Sequence, residues 1–308
     1  MIKVGLYSIT YLGAWYKGGH LTLKDFIRKA KALGYDGIEI DLKRPHGFPL
    51  DLDEKSRTEI RKLAESEGLE IPAVASNNSF ASPIPEHREN ELLMVHEQIR
   101  LARDLGAKIL RVFAAWRGIT FRNEIATYEV ASEYEKGHNM DSLVLERWNW
   151  VRECLKEAAG WAGKYGVVLA LQNHIPLMEN YKDMLAMVRE VGSEYLKCSF
   201  DVPCEVCQDD KWVKQAVLDT GKLQVHSHFS GEFERKDNGQ LRLLPSKYRE
   251  TVNYPVFIKV LKESGYNGYM NYEFCHRALE NHQPAGIEFI DKHTKYALEY
   301  MRNLIKTA

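Results

Sequence analysis

Cysteine is scarce in this chain: Cys154, Cys198, Cys204, Cys207 and Cys275 are the five in 308 residues. So small and odd a set does not make a disulfide framework, and it fits a reducing compartment. An excess of charge is missing too, since 42 Lys and Arg stand against 43 Asp and Glu. Without a basic block there is no electrostatic footprint for nucleic acid or for an anionic membrane. No apolar run reaches the roughly 18 residues that a transmembrane helix needs. The opening MIKVGLYSIT lacks a charged region followed by an apolar stretch and a small-residue cleavage site, so no secretory leader is expected. These absences point to a cytoplasmic protein that handles a small molecule, with no nucleic-acid partner and no membrane association.

What is present is a regular alternation of short apolar runs and amphipathic stretches. Strands are expected near 3–8, 36–41, 70–76, 108–113, 167–172, 196–201, 223–228 and 268–273. Helices are expected near 22–33, 53–67, 86–105, 142–165, 180–191, 210–219, 254–264 and 284–306. The first helix carries Leu23, Phe26, Ile27, Ala30 and Leu33 at helical spacing. Gly34, Gly106, Gly166 and Gly265 follow helix ends, where glycine supplies the left-handed residue that turns the chain into the next strand. Strand and helix in strict alternation give a parallel sheet, and eight such units close into a (β/α)8 TIM barrel. An open doubly wound sheet is the alternative. The first βα turn, Ser8-Ile9-Thr10-Tyr11-Leu12-Gly13, argues against it by lacking the glycine-rich dinucleotide fingerprint. No linker interrupts the chain, so residues 1–308 read as one domain. Three connections, near 77–86, 114–141 and 229–253, are long. Each follows a strand, on the barrel face where active sites are built.

Side-chain parity locates the chemistry. Successive residues of a strand point to opposite faces. On strands five to eight the polar residues Gln172, Asp201, His226, His228, Asn271 and Glu273 share the interior parity, and His174 lies just beyond strand five. Clustered buried carboxylates need compensation. A divalent cation held by oxygen and imidazole ligands provides it, manganese, zinc, iron or magnesium being suited. A metal-free layer of hydrogen bonds and His–carboxylate pairs is the alternative.

These residues bring a family resemblance with them. The pattern resembles the xylose isomerase-like barrels of the sugar phosphate isomerase and epimerase superfamily. The resemblance rests also on Val4-Gly5-Leu6-Tyr7-Ser8, on Gly34-Tyr35-Asp36-Gly37-Ile38-Glu39 and on Tyr272-Glu273. It implies a metal, manganese first, bound by Gln172, Asp201, His228 and Glu273, with His226 as the rival for the histidine place. Gln172 departs from the family's glutamate. An amide oxygen can ligate but cannot take a proton, which counts against a two-base epimerase and leaves His174 or Glu273 as the single base.

Further segments resemble the α subunit of bacterial C-glycoside deglycosidases: Tyr11-Leu12-Gly13, Asp41-Leu42-Lys43-Arg44-Pro45-His46, Leu171-Gln172-Asn173-His174 and Val225-His226-Ser227-His228-Phe229-Ser230-Gly231-Glu232-Phe233. This resemblance implies a lyase that breaks the carbon–carbon bond between a 3-keto sugar and an aromatic aglycone. It also implies a small β subunit and a homo-oligomer of heterodimers. Isomerisation or epimerisation of a sugar or inosose is the second reading, and a non-catalytic sugar-binding barrel the third. A barrel endonuclease would need a basic face, which the charge balance does not offer. Beyond the metal set, His226, His46, Trp116 and Arg235 are candidate substrate contacts, each with a bland alternative in packing or solvated loop. Cys204-Glu205-Val206-Cys207 has no second pair with which to complete a zinc site.

Overall fold

The computed structural model describes residues 1–138, 142–245 and 251–308. Eight parallel strands close into a barrel: β1 (Lys3–Tyr7), β2 (Gly37–Asp41), β3 (Glu70–Ala75), β4 (Ile109–Val112), β5 (Val168–Gln172), β6 (Leu196–Ser199), β7 (Gln224–Ser230) and β8 (Tyr269–Glu273). Each strand pairs with its neighbours in sequence, and β1 closes on β8 with Lys3 opposite Tyr269 and Leu6 opposite Tyr272. The (β/α)8 barrel expected from the alternation is the fold.

The helices outside it are α1 (Leu23–Leu33), α2 (Glu54–Ser66), α3 (Pro85–Leu105), α4 (Glu129–His138), α5 (Val144–Tyr165), α6 (Tyr181–Val191), α7 (Asp210–Thr220), α8 (Tyr254–Glu263) and α9 (Ile287–Thr307). In α1 the Thr22 side chain accepts the Asp25 backbone N–H and starts the helix, and Gly34 at φ 91° ends it. Between these caps Leu23, Phe26, Ile27 and Ala30 are buried against the barrel. Burying a large apolar side chain stabilises by about 1.5–3 kcal/mol, so this one stripe outweighs both caps, at about 1 kcal/mol for a side-chain cap.

Two departures from the expected elements bear on the site. Strand β7 runs on to Ser230, two residues past the expected end, because Phe229 and Ser230 still pair with Tyr272 and Glu273. The long connection after β4 is not structureless: it holds a hairpin, Thr120–Arg122 with Ile125–Thr127, and then α4. Within the connections expected at 114–141 and 229–253, residues 139–141 and 246–250 lie outside the described residues. Among the described residues, no helix is long and apolar enough to cross a membrane.

Gly5 in β1 is dictated by the interior. A Cβ there would lie 1.9 Å from Asn271 Oδ1, so only glycine leaves room for the Asn271 amide inside the barrel.

Candidate metal centre

The C-terminal ends of β5, β6 and β7 bring three predicted residues into contact. Asp201, just after β6, accepts a hydrogen bond from the His228 backbone N–H at 2.6 Å on Oδ1 and from His228 Nδ1 at 2.8 Å on Oδ2. The Gln172 amide donates to the same Oδ2. Asn173 fixes the Asp201 backbone. Its Oδ1 accepts the Asp201 N–H at 2.8 Å, and its Nδ2 donates to the Asp201 carbonyl at 3.1 Å and to Glu205 Oε1 at 2.7 Å. The Leu171-Gln172-Asn173-His174 segment thus gives one side chain to the site and the next to the loop that positions Asp201.

A second polar layer lies beneath. Glu39 Oε2 accepts from His228 Nε2 at 2.7 Å, from His226 Nε2 at 3.0 Å and from Asn271 Nδ2 at 2.8 Å. All four residues are fully buried. Burial alone would raise the Glu39 carboxyl, but His228 and His226 outweigh it and hold it well below the usual carboxylate range. Burial alone would depress His228, but Glu39 and Asp201 outweigh it and hold its imidazole well above the ordinary value. The Tyr7 ring stacks on His228 at 5.3 Å, and its hydroxyl donates to Asp41 at 3.2 Å and accepts from Arg111 at 2.9 Å.

Glu273 ends β8 at the mouth and is only partly buried. Burial raises its carboxyl above the ordinary value, His228 and Arg111 opposing and Asp201 and Glu39 adding to the rise. His174 stands edge-on to Phe113 and Trp116, with ring centroids at 5.0 and 5.2 Å. Desolvation there lowers its imidazole to about 4, so it is neutral at pH 7. Two further candidates lie apart from these. His46 is buried beside α1, its Nε2 3.0 Å from the Leu21 carbonyl and its ring stacked with Phe26. Arg235 sits on an exposed hairpin and pairs with Glu299 of α9 at 2.6 Å.

The sequence reading missed Glu39, and with it Tyr7 and Arg111. The parity rule would have found all three had it been applied to the first four strands as well. Glu39 shares its parity with Gly37 and Asp41, and Tyr7 with Gly5.

Glu39, His226 and His228 form a fully buried group whose ligand atoms lie within 4.8 Å of one another, a cluster that can bind a metal ion. In the outer set, Asp201 and His228 are in contact and Gln172 touches Asp201. Gln172 Oε1 is buried with no hydrogen-bond partner, and turning the amide over would direct that oxygen to where Asp201 Oδ2 and His228 Nδ1 already meet. His228 belongs to both sets, and one ring nitrogen faces each.

A closed parallel barrel with carboxylate and imidazole groups gathered inside it defines a class, the (β/α)8 barrels, whose active sites lie at the C-terminal face. The family is more specific. Residues 27–293 match the xylose isomerase-like TIM barrel family, to which the chain belongs. D-psicose 3-epimerase from Clostridium cellulolyticum H10, solved with D-tagatose, is similar at a TM-score of 0.70 and 18% identity, covering 99% of each chain. The 3-keto-D-glucoside 4-epimerase of E. coli is similar at a TM-score of 0.70 and 18% identity, covering 98% of this chain and 100% of that one. An L-ribulose 3-epimerase matches at 0.69 and 15%, covering 100% and 95%. No curated protein matches the sequence.

Proposed function

We propose that the chain cleaves the carbon–carbon bond joining a 3-keto sugar to an aromatic aglycone, with a divalent metal held by Gln172, Asp201, His228 and Glu273. The observation that carries this reading is the amide at Gln172, in contact with the Asp201 carboxylate. Epimerisation by two opposed bases needs two groups that exchange protons, and an amide takes none. Glu273 remains as a protonatable group at the mouth, which suits removal of one proton from one face. When bound there, a divalent cation, manganese by preference, would supply Lewis-acid polarisation of a substrate carbonyl, which acidifies the neighbouring C–H.

In the proposed reaction Glu273 takes the proton from the carbon between the carbonyl and the anomeric carbon. The resulting enolate forms a double bond to the anomeric carbon and expels the aglycone, whose carbon leaves with the bonding pair and takes up a proton. Asp201 and His228 are oriented by Asn173 and Glu39 respectively, so neither reorganises during the step. His174, neutral in its aromatic corner, is available for a hydrogen bond with a sugar hydroxyl, and Trp116 for stacking.

The lyase reading is tested by incubating manganese-loaded protein with a 3-keto C-glucosyl flavone and following the free flavone by chromatography. Release by the parent and its loss in Glu273→Gln support the reading. A changed sugar configuration with the aglycone still attached replaces it by epimerisation, the activity named for the solved neighbours. A small β subunit in a larger assembly is part of the same proposal. Assay of the chain with and without the product of a neighbouring small reading frame tests it.

A further inference from the structure

Asp201 stands beyond the end of its strand. The β6 ladder stops at Ser199, which faces Gln172 of β5 and His226 of β7. Phe200 and Asp201 therefore have no ladder partners, and buried backbone groups must find others. Two side-chain amides serve, one from each neighbouring strand. Gln224 of β7 accepts the Phe200 N–H on Oε1 at 2.9 Å and donates from Nε2 to the Phe200 carbonyl at 3.1 Å. Asn173, the residue after β5, does the same for Asp201 at 2.8 and 3.1 Å.

An amide paired in this way has one N–H left over, and its acceptor holds the whole arrangement in place. For Gln224 that acceptor is main chain, the His226 carbonyl at 2.7 Å. For Asn173 it is a side chain, Glu205 Oε1 at 2.7 Å. Glu205 is buried, and its other oxygen accepts Trp212 Nε1 of α7 at 2.7 Å. A bond to a carboxylate is roughly twice as strong as one between neutral groups, so Glu205 is the firmest hold on the Asn173 amide.

We propose that Glu205 is the positioning residue for Asp201, acting through Asn173. The inference rests on the metal site of the reading above and adds to it a residue outside the ligand set, which ties that set to α7. Without the Glu205 acceptor, the Asn173 amide and the Asp201 backbone shift together. The Asp201 carboxylate then loses its register with His228, whose backbone N–H and Nδ1 it meets at 2.6 and 2.8 Å.

The test measures two quantities on the full chain: manganese affinity, from the spin-resonance signal of the free ion, and hydrogen exchange at the Asp201 amide in metal-free protein. Glu205→Met removes the acceptor at similar volume; it should weaken manganese binding about tenfold and speed the exchange about as much. Trp212→Phe removes only the other donor, and should leave both quantities within about twofold while lowering stability. Glu205→Gln combined with Trp212→Phe should restore both, since the amide oxygen then accepts from Asn173 and its NH2 confronts no donor. Unchanged values in Glu205→Met, an equal loss in Trp212→Phe, or no rescue in the double variant each overturns the assignment. Should Glu205→Met not fold, Glu205→Gln alone is compared with the double variant, and equal values overturn it. The metal reading fails separately: faster exchange in Glu205→Met with no manganese bound by the parent removes the ion and leaves the hold on Asp201.

Discussion

Glu39→Gln is the substitution that examines the buried layer most sharply. It keeps side-chain volume and removes only the charge that His226, His228 and Asn271 share at 3.0, 2.7 and 2.8 Å. A hydrogen bond to a charged group contributes about 1.5–3 kcal/mol, and removing one partner of a buried ion pair costs about 3–5 kcal/mol. The amide oxygen still accepts from Asn271 and from one imidazole, which retains part of that. A net loss of about 2–4 kcal/mol follows, read as a lowered urea midpoint with unchanged slope. Combining it with His226→Gln isolates the pair, and a coupling of about 0.5–3 kcal/mol is expected for groups in contact. The same variant should still bind metal, about 10–100-fold more weakly, because Glu39 orients His228 and does not belong to the outer set. A stability loss under about 1 kcal/mol with no coupling to His226 would refute this reasoning.

Gly5→Ala should destabilise by at least the roughly 1–3 kcal/mol of an overpacked core, since its Cβ would sit 1.9 Å from Asn271 Oδ1; thermal unfolding by circular dichroism measures it. Arg235→Ala should leave both melting and flavone release unchanged, because the arginine pairs with Glu299 on an exposed face; a loss of turnover would place it at the substrate. His293 is buried with its imidazole lowered to about 4. Between its unfolded value, about 6.5, and that folded value, the unfolded chain takes up a proton and the folded chain does not. Stability therefore falls as pH drops through that window. The fall should be shallower in His293→Gln, compared by urea midpoints at pH 7 and pH 5.

The barrel was legible in the sequence because its signals are local and repeated. Eight apolar runs, helical stripes such as Leu23, Phe26, Ile27 and Ala30, and glycines past helix ends all agree on one fold. The meeting of Gln172, Asp201 and His228 was legible for a related reason, since parity on adjacent parallel strands fixes which side chains share the interior. For His46, nearness in sequence to a strand end says nothing of direction, and the ring turns to the Leu21 carbonyl beside α1. Arg235 follows β7 closely in sequence, yet the hairpin Phe233–Arg235 with Leu241–Leu243 carries it outward to α9.

Metal content tests the outer ligand set most directly. The purified parent, dialysed after manganese loading, is compared by elemental analysis with Asp201→Ala, Glu273→Ala and Glu39→Gln. The proposal predicts about one ion per chain in the parent, loss in the first two and retention at lower affinity in the third. Retention in Asp201→Ala with loss in Glu39→Gln would move the ion to the Glu39, His226 and His228 cluster. No bound ion in the parent after loading would contradict the metal centre altogether.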